Sequence, residues 1–432
     1  MIPFHFPLFT FHFLEVLPRD RHALIAKAEQ DCAPVFAALE ETEIKNTRRV
    51  LDAFRAEDIA ARHFAPTTGY GYDDIGRDAL ERVFARLFGA ESAIVRPAIA
   101  CGTAALSLCL FGLLLPGDEL LSVTGTPYDT METVIGLSGN APGNLKEMGV
   151  SYAQVEMTEN QTKIDVPGVL AALKPNTRVI LIQRSRGYAW RASLRPEEMQ
   201  EAMQAVHAVR PDIFIMVDNC YGEFICENEP THFGADVCVG SLIKNAGGGL
   251  APTGAYLAGT KRAIERIEAR LTAPGLGREV GSCAASYQPF YQGLFMAPHT
   301  VTQALKTAIL AARTFELLGM KTTPAFDAPR ADIIQAIEMG DPQKLIAFVQ
   351  GIQAASPIDA SAVPEPWDMP GYTDQVIMAA GTFVGGASIE LSADAPMREP
   401  FTVYLQGGLT YAHGKIALIS ALESMERKGN VS

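Results

Sequence analysis

Two residues of opposite charge, Asp218 and Lys244, stand where this chain could do chemistry. Asp218 closes the apolar, partly β-branched run 213–217, which reads as a buried strand. A second short apolar run, 236–240, leads into Ser241-Leu242-Ile243-Lys244-Asn245 and then Gly247-Gly248-Gly249. Open α/β sheets place their ligand crevice at the C-terminal ends of strands. An acid and a lysine delivered to one crevice suit pyridoxal 5'-phosphate (PLP). The lysine forms the Schiff base, and the aspartate keeps the pyridine nitrogen protonated so that the ring accepts electrons. Taken singly, each residue has a plainer reading. A strand-end aspartate also caps helices, and a lysine beside glycines also sits in solvated loops. The ordered set of strand, acid, strand, serine, lysine and glycines is what points to the cofactor.

The other parts of such a site have candidates. A phosphate needs amide donors at a helix N-terminus. Gly102 and Thr103 open an apolar helix over 104–114 and would offer theirs, with the helix dipole adding positive potential. An ordinary strand-to-helix turn uses the same residue types. Tyr128 follows the strand 119–123 at the crevice end, where it could cover the pyridine ring or stand in a surface turn. A substrate carboxylate calls for arginine. Arg398 precedes a C-terminal strand, and a surface ion pair would use it equally. Arg186 and Arg191 leave the end of another strand and are rivals for the role.

The elements that must position these groups alternate regularly. Strands are expected at 91–97, 119–123, 179–183, 213–217 and 236–240. Helices are expected at 20–61, 78–87, 104–114 and 196–209. That alternation implies a mostly parallel sheet with helices on both faces. From about residue 300 the texture changes. Helices at 301–318, 331–339, 342–354 and 412–428, with strands at 387–391 and 402–405, describe a smaller α+β domain. The expected division is an N-terminal arm and helices over 1–65, a large PLP-binding α/β domain over 66–299, and a small C-terminal domain over 300–432.

Composition bounds the function. The chain has 432 residues, enough for a large domain and a smaller one. Its net charge of −13 leaves no basic surplus to neutralise phosphates, which excludes a nucleic-acid partner of the usual kind. The seven cysteines, Cys32, Cys101, Cys109, Cys220, Cys226, Cys238 and Cys283, form no C-x-x-C pair, as in a protein kept reduced in the cytoplasm. The eight histidines form no zinc motif, so no metal site is expected. The aromatic N-terminal run through residue 17 lacks a basic n-region and a cleavage site, and it is too short to span a membrane. It reads as a packing arm or as residues ahead of the true start.

The ordered set resembles the cysteine/methionine-metabolism branch of fold-type-I PLP enzymes. That branch carries an aspartate–asparagine pair with a following aromatic, here Asp218, Asn219 and Tyr221, and a serine-x-x-lysine with paired glycines, here Ser241, Lys244, Gly247 and Gly248. Within it, the chain is most similar to the methionine gamma-lyase-like family often labelled aluminium resistance protein. The runs Gly69-Tyr70-Gly71-Tyr72-Asp73-Asp74, Gln183-Arg184-Ser185-Arg186-Gly187-Tyr188, Pro364-Glu365-Pro366-Trp367-Asp368-Met369-Pro370-Gly371-Tyr372 and Val403-Tyr404-Leu405-Gln406-Gly407-Gly408 carry the closer match. The resemblance implies Lys244 as Schiff-base lysine and Asp218 as pyridinium partner. It implies Gly102, Thr103 and Ser241 on the phosphate, and Tyr128 on the ring. It places Tyr70 or Tyr72 at the phosphate of a neighbouring subunit, in a homodimer or homotetramer with shared sites. The implied activity is carbon–sulfur β- or γ-elimination, as in methionine gamma-lyase or cystathionine beta-lyase, on a small amino-acid substrate. An aminotransferase, an aldolase or a non-catalytic PLP-binding regulator would share the lysine and the aspartate. One departure is Ile243, which stands where the lyases carry a phosphate-binding threonine. Nothing in the sequence forms an acidic cage for Al³⁺.

Overall fold

The computed structural model describes residues 20–139, 141–369 and 374–429. Seven strands build the larger sheet: β1 (Ser92–Arg96), β2 (Glu119–Ser122), β3 (Ser151–Gln154), β4 (Thr177–Gln183), β5 (Phe214–Asp218), β6 (Val237–Ser241) and β7 (Ala255–Gly259). Their order is β1-β7-β6-β5-β4-β2-β3. Every pair is parallel except the two made by β7, which runs antiparallel to β1 and to β6.

The helices are α1 (Arg21–Ala56), α2 (Ile75–Leu87), α3 (Gly102–Leu113), α4 (Asp129–Ile135), α5 (Val166–Ala172), α6 (Pro196–Val209), α7 (Lys261–Leu271), α8 (Gln288–Leu317), α9 (Pro342–Ala354) and α10 (Tyr411–Gly429). Alternation along β5 shows why its run is apolar throughout. Ile215 and Val217 pack with Leu80 of α2, Met199 and Met203 of α6 and Leu294 of α8. Phe214 and Met216 face the other way, against Leu106 and Leu110 of α3 and Ile264 and Ile267 of α7. A strand covered on both faces has no polar side to show.

The smaller sheet contains β8 (Thr322–Thr323), β9 (Gln335–Glu338), β10 (Val376–Ala379), β11 (Ser392–Pro396) and β12 (Thr402–Gln406), in the order β10-β11-β12-β9-β8. It is antiparallel throughout, and its two faces differ. Ile337, Ile377, Ala393, Ala395, Val403 and Leu405 join a core with Leu345 and Phe348 of α9 and Leu418 of α10. Asp394, Tyr404 and Gln406 lie on the opposite face. A one-residue slip of β12 would exchange those faces, at a cost of about 1.5–3 kcal/mol for each large apolar side chain exposed.

The structure corrects two expected elements. Residues 331–339 contain no helix; their centre is β9, paired with β12 from Thr402↔Glu338 to Leu405↔Gln335. Its isoleucines fit either period, and the pairing decides. The strand expected at 387–391 is a series of turns, and β11 begins just after it. There the Glu390 carboxylate accepts the amides of Phe383 and Val384 at 2.8 and 2.9 Å, which folds the chain back on itself. The expected division at 299/300 falls within α8, which runs on from one sheet to the other. The first helix ends at Ala56 and is capped by Asp20, whose carboxylate accepts the amides of His22 and Ala23. The aromatic N-terminal run and the end of the motif at 364–372 lie outside the described residues.

Candidate active site

Three neighbouring parallel strands deliver the key residues side by side. Gln183 ends β4 and pairs in register with Asp218, which ends β5. Ser241 ends β6 in the next position of the same sheet. All three line one cavity of about 390 Å³. Gly102, Thr103, Tyr128, Tyr221, Ile243 and Lys244 line it too. The cofactor residues singled out in the sequence within one chain therefore converge. Among the described residues, Asp218 and Lys244 are the only charged side chains in that lining.

Each is held by local structure. After Asp218 the chain turns sharply. Cys220 donates its amide to Asp218 Oδ1 at 3.1 Å, and Gly222 donates to the Asn219 carbonyl at 3.0 Å. Tyr221 takes the left-handed conformation, with φ of 72°. Few side chains accept that geometry without strain, and here it brings the Tyr221 ring 3.9 Å from Lys244 Nζ. Burial pushes the Asp218 carboxyl above the usual carboxylate range, offset in part by the Lys244 charge and the Cys220 amide. Burial opposes the charge on Lys244. Cys220, Tyr221 and Asp218 around it favour that charge, and they hold its pKa above that of an ordinary lysine.

The start of α3 sits against both strand ends. A methyl group at Gly102 would meet Cys220 Sγ and Ser241 Cβ at 3.4 Å, an ordinary contact distance, and would occupy the cradle between α3 and the strand ends. The first turn of a helix has amides with no partner inside the helix. Here that of Ala104 donates to Cys101 Sγ at 3.4 Å, and Gly102 and Thr103 line the cavity. Thr103 Oγ1 lies 3.0 Å from Thr130 Oγ1. Tyr128 caps α4, and its amide donates to Gln183 Oε1 at 2.6 Å. A lysine amine, a buried carboxylate, a helix start with a serine hydroxyl and an aromatic ring in one cavity match the aldehyde, pyridine nitrogen, phosphate and ring of PLP.

Two expected substrate arginines are placed elsewhere. Arg186 is buried but does not line the cavity. Its guanidinium donates to the carbonyl and hydroxyl of Thr323, each at 3.2 Å. Its rival Arg191 is spent on the carbonyls of Gln183, Ser185 and Ala192, which close the loop 183–192. Arg398 is exposed and pairs with Asp374 at 3.0 Å. It lines a second cavity of about 200 Å³ with Tyr188, Trp190 and Tyr404. Tyr70 and Tyr72 are not among the residues lining the cavity of their own chain. They stack on each other, centroids 5.5 Å apart, and are 68% and 56% exposed.

Sequence reasoning missed the layer behind Asp218. Asn219 is fully buried and accepts from Arg184 Nη1 at 2.7 Å. It donates to Glu229 at 3.0 Å and to the Tyr256 hydroxyl at 3.2 Å. Tyr256 in turn donates to Glu223 at 2.9 Å. Asn219 and Arg184 stand in runs that carry the resemblance, but Glu223, Glu229 and Tyr256 belong to no such run, and no spacing announces that all five meet. Asp394 was missed as well, although alternation along Ser392-Ala393-Asp394-Ala395-Pro396 marks it as facing away from the apolar core.

Fold and site together define a protein of the fold-type-I class. The PLP-dependent protein YhfS of Escherichia coli shares the fold, with a TM-score of 0.58 at 17% identity over 89% of this chain and 97% of that one. The chain belongs to the methionine gamma-lyase family, whose model matches residues 21–426. The uncharacterized protein YnbB of Bacillus subtilis is 51% identical over 403 residues, 93% of this chain and 96% of that protein. A solved structure of a carbon–sulfur lyase involved in aluminium resistance, from Clostridium novyi, is 49% identical with a TM-score of 0.89. That match covers 93% of this chain and 94% of the other. Among the described residues, no helix is long and apolar enough to cross a membrane, and no group of acidic, histidine and cysteine side chains could hold a metal.

Proposed function

We propose that this protein is a PLP-dependent lyase that cleaves the carbon–sulfur bond of a sulfur-containing amino acid by β- or γ-elimination. The observation that carries the reading is the meeting of Lys244 and Asp218 in one cavity with the α3 cradle. Membership of the family and the activity named for the Clostridium novyi relative support it. Bound there, PLP supplies an aldehyde for the lysine and an electron sink for the substrate Cα. Gly102, Thr103 and Ser241 hold its phosphate, and Asp218 keeps a proton at the pyridine nitrogen. Lys244 would take the proton from the substrate Cα. Tyr128 covers the ring and gives a proton to the departing sulfur. Tyr70 or Tyr72 of a second copy completes the phosphate site, in a homodimer or homotetramer working in the cytoplasm.

The test is product analysis with purified protein. Lyase action releases ammonia, a thiol and a 2-oxo acid, and the carbon count of that acid separates Cβ from Cγ cleavage. A visible band that borohydride removes, with the label mapping to Lys244, places the covalent link. Transfer of nitrogen to a 2-oxo acid without ammonia release would make it an aminotransferase instead.

A further inference from the structure

One face of the small sheet is polar and meets Tyr188, which stands next to the cavity wall. Asp394 pairs with Tyr404 and Ser392 with Gln406, so side chains of these four residues share one side of β11 and β12. Gln406 Nε2 donates to Asp394 Oδ2 at 2.9 Å. The Ser392 hydroxyl is 95% buried and has no hydrogen-bond partner. The face reaches the cofactor cavity through Tyr188. Its neighbour Gly187 lines that cavity, its ring lies 6.2 Å from that of Tyr128, and its hydroxyl sits beside Asp394. The Tyr404 hydroxyl fixes this arrangement by donating to the Tyr188 carbonyl at 2.6 Å. Asp394 is also close enough to Lys244 for their charges to interact.

A buried hydroxyl without a partner and a carboxylate with acceptor capacity to spare are groups that a ligand satisfies. The proposed reading already assigns both charged groups of the cofactor cavity, Asp218 to the pyridine nitrogen and Lys244 to the aldehyde. Asp394 lies outside the lining of that cavity, beside the Tyr188 hydroxyl and within reach of the Lys244 charge, and adds negative charge behind the crevice wall. We infer that the face carrying Ser392, Asp394 and Gln406 receives the substituent on the substrate's sulfur and selects one that bears an ammonium or a comparable hydrogen-bond donor. This rests on the lyase reading of the site. Burial pushes the Asp394 carboxyl up to about 6, against the lowering effects of Gln406, Lys244 and Tyr188. The titratable groups facing it are Lys244 and Tyr188. It is therefore a carboxylate at neutral pH and loses its charge in mild acid.

The experiment compares three substrates of similar length with the holoenzyme: S-(2-aminoethyl)-L-cysteine, S-propyl-L-cysteine and S-carboxymethyl-L-cysteine. The expected order of kcat/KM is cationic, neutral, anionic, with about tenfold or more between the first two. That ratio should shrink below about pH 6, and Asp394→Asn should bring it close to one. Equal kcat/KM for the aminoethyl and propyl compounds in the wild type would overturn the inference, as would a ratio unchanged in Asp394→Asn. If none of the three is cleaved, the same order is read from the Kd of the absorbance change each produces. A cationic preference without cleavage would refute the lyase reading alone. Cleavage without that preference would refute this inference alone.

Discussion

Arg184, with no exposed surface, donates to Asn219 at 2.7 Å, one residue beyond the aspartate that reaches the cavity. The guanidinium also lies 3.6 Å from Glu229 and donates to the Leu194 carbonyl at 3.0 Å. Gly222 makes room for it, since a methyl group there would come within 2.3 Å of Nη1. The turn that sets Asp218 is thus braced from behind by a buried charge. Arg184→Met should leave Glu229 buried without its cation and cost about 3–5 kcal/mol. Thermal unfolding of purified variants measures this, and a melting temperature within a degree of wild type would remove Arg184 from the brace.

Glu223 in the same layer gives a pH-dependent outcome. Its Oε1 accepts from Tyr256, and its Oε2 has no partner. Burial pushes its pKa up to about 8, from 4.5 in an unstructured chain. The fold therefore favours the protonated form. That stability is fully present below pH 4.5 and is lost as pH rises through about 8. Glu223→Gln keeps the shape and cannot ionise. Melting temperatures from pH 6 to pH 9 should fall more steeply for wild type than for the variant, a difference of a few kcal/mol at the alkaline end. Parallel curves would show that Glu223 does not titrate there.

Asp218→Asn should retain the cofactor and lose most turnover. A neutral partner no longer holds the pyridine nitrogen protonated. The expected loss is on the order of a thousandfold in kcat, several kcal/mol of barrier. Steady-state rates measure it beside the cofactor's visible absorbance. A variant within a fewfold of wild type would reduce Asp218 to a capping role.

The exposed Tyr70 and Tyr72 pair predicts complementation between chains. The loop carrying them is pinned at its base. Gly281 donates its amide to the Tyr70 carbonyl at 2.9 Å, and Arg77 Nη1 donates to the Gly71 carbonyl at 2.8 Å. The rings are thus held outward. Lys244→Ala and the double variant Tyr70→Phe, Tyr72→Phe should each be inactive, and mixing them should restore activity as subunits exchange. Exchange confirmed by mass with no recovery would place these tyrosines outside the site.

The strands that end on chemistry were legible because they are buried on both faces. Phe214–Asp218 and Val237–Ser241 read as apolar runs with a polar stop, and the structure moves their boundaries by one residue. Pro196–Val209 and Pro342–Ala354 matched their expected bounds, each with a proline at its first turn. The errors fell where distant partners decide. Residues 335–338 are a strand because β12 lies beside them. Residues 387–391 turn because Glu390 binds amides that precede it. That turn segment brings Gly385 and Gly386 to the cavity wall, near Ile243. The buried layer around Asn219 is assembled from Arg184, Glu223, Glu229 and Tyr256, residues whose neighbours in sequence give no hint of one another.

Helix α8 ties the lysine loop and the small sheet to a single rod. Near its start, Gly293 lies so close to Gly247 that a methyl group would fall 2.2 Å from the Gly247 carbonyl oxygen. About two turns further on, Thr300 donates to the Gly248 carbonyl at 3.1 Å. Farther along, a methyl group at Gly414 of α10 would lie 2.2 Å from Thr307 Oγ1, and the Phe315 ring meets Phe348 of α9 at 5.6 Å. The spacing between the glycine loop after Lys244 and the helices that cover the small sheet is therefore set along one helix, at about 1.5 Å per residue. Pro298 interrupts its backbone hydrogen bonding between Gly293 and Thr300, so any bend of α8 would fall beside the glycine loop. The segments 183–187 and 385–386, by contrast, line the cavity without being part of that helix.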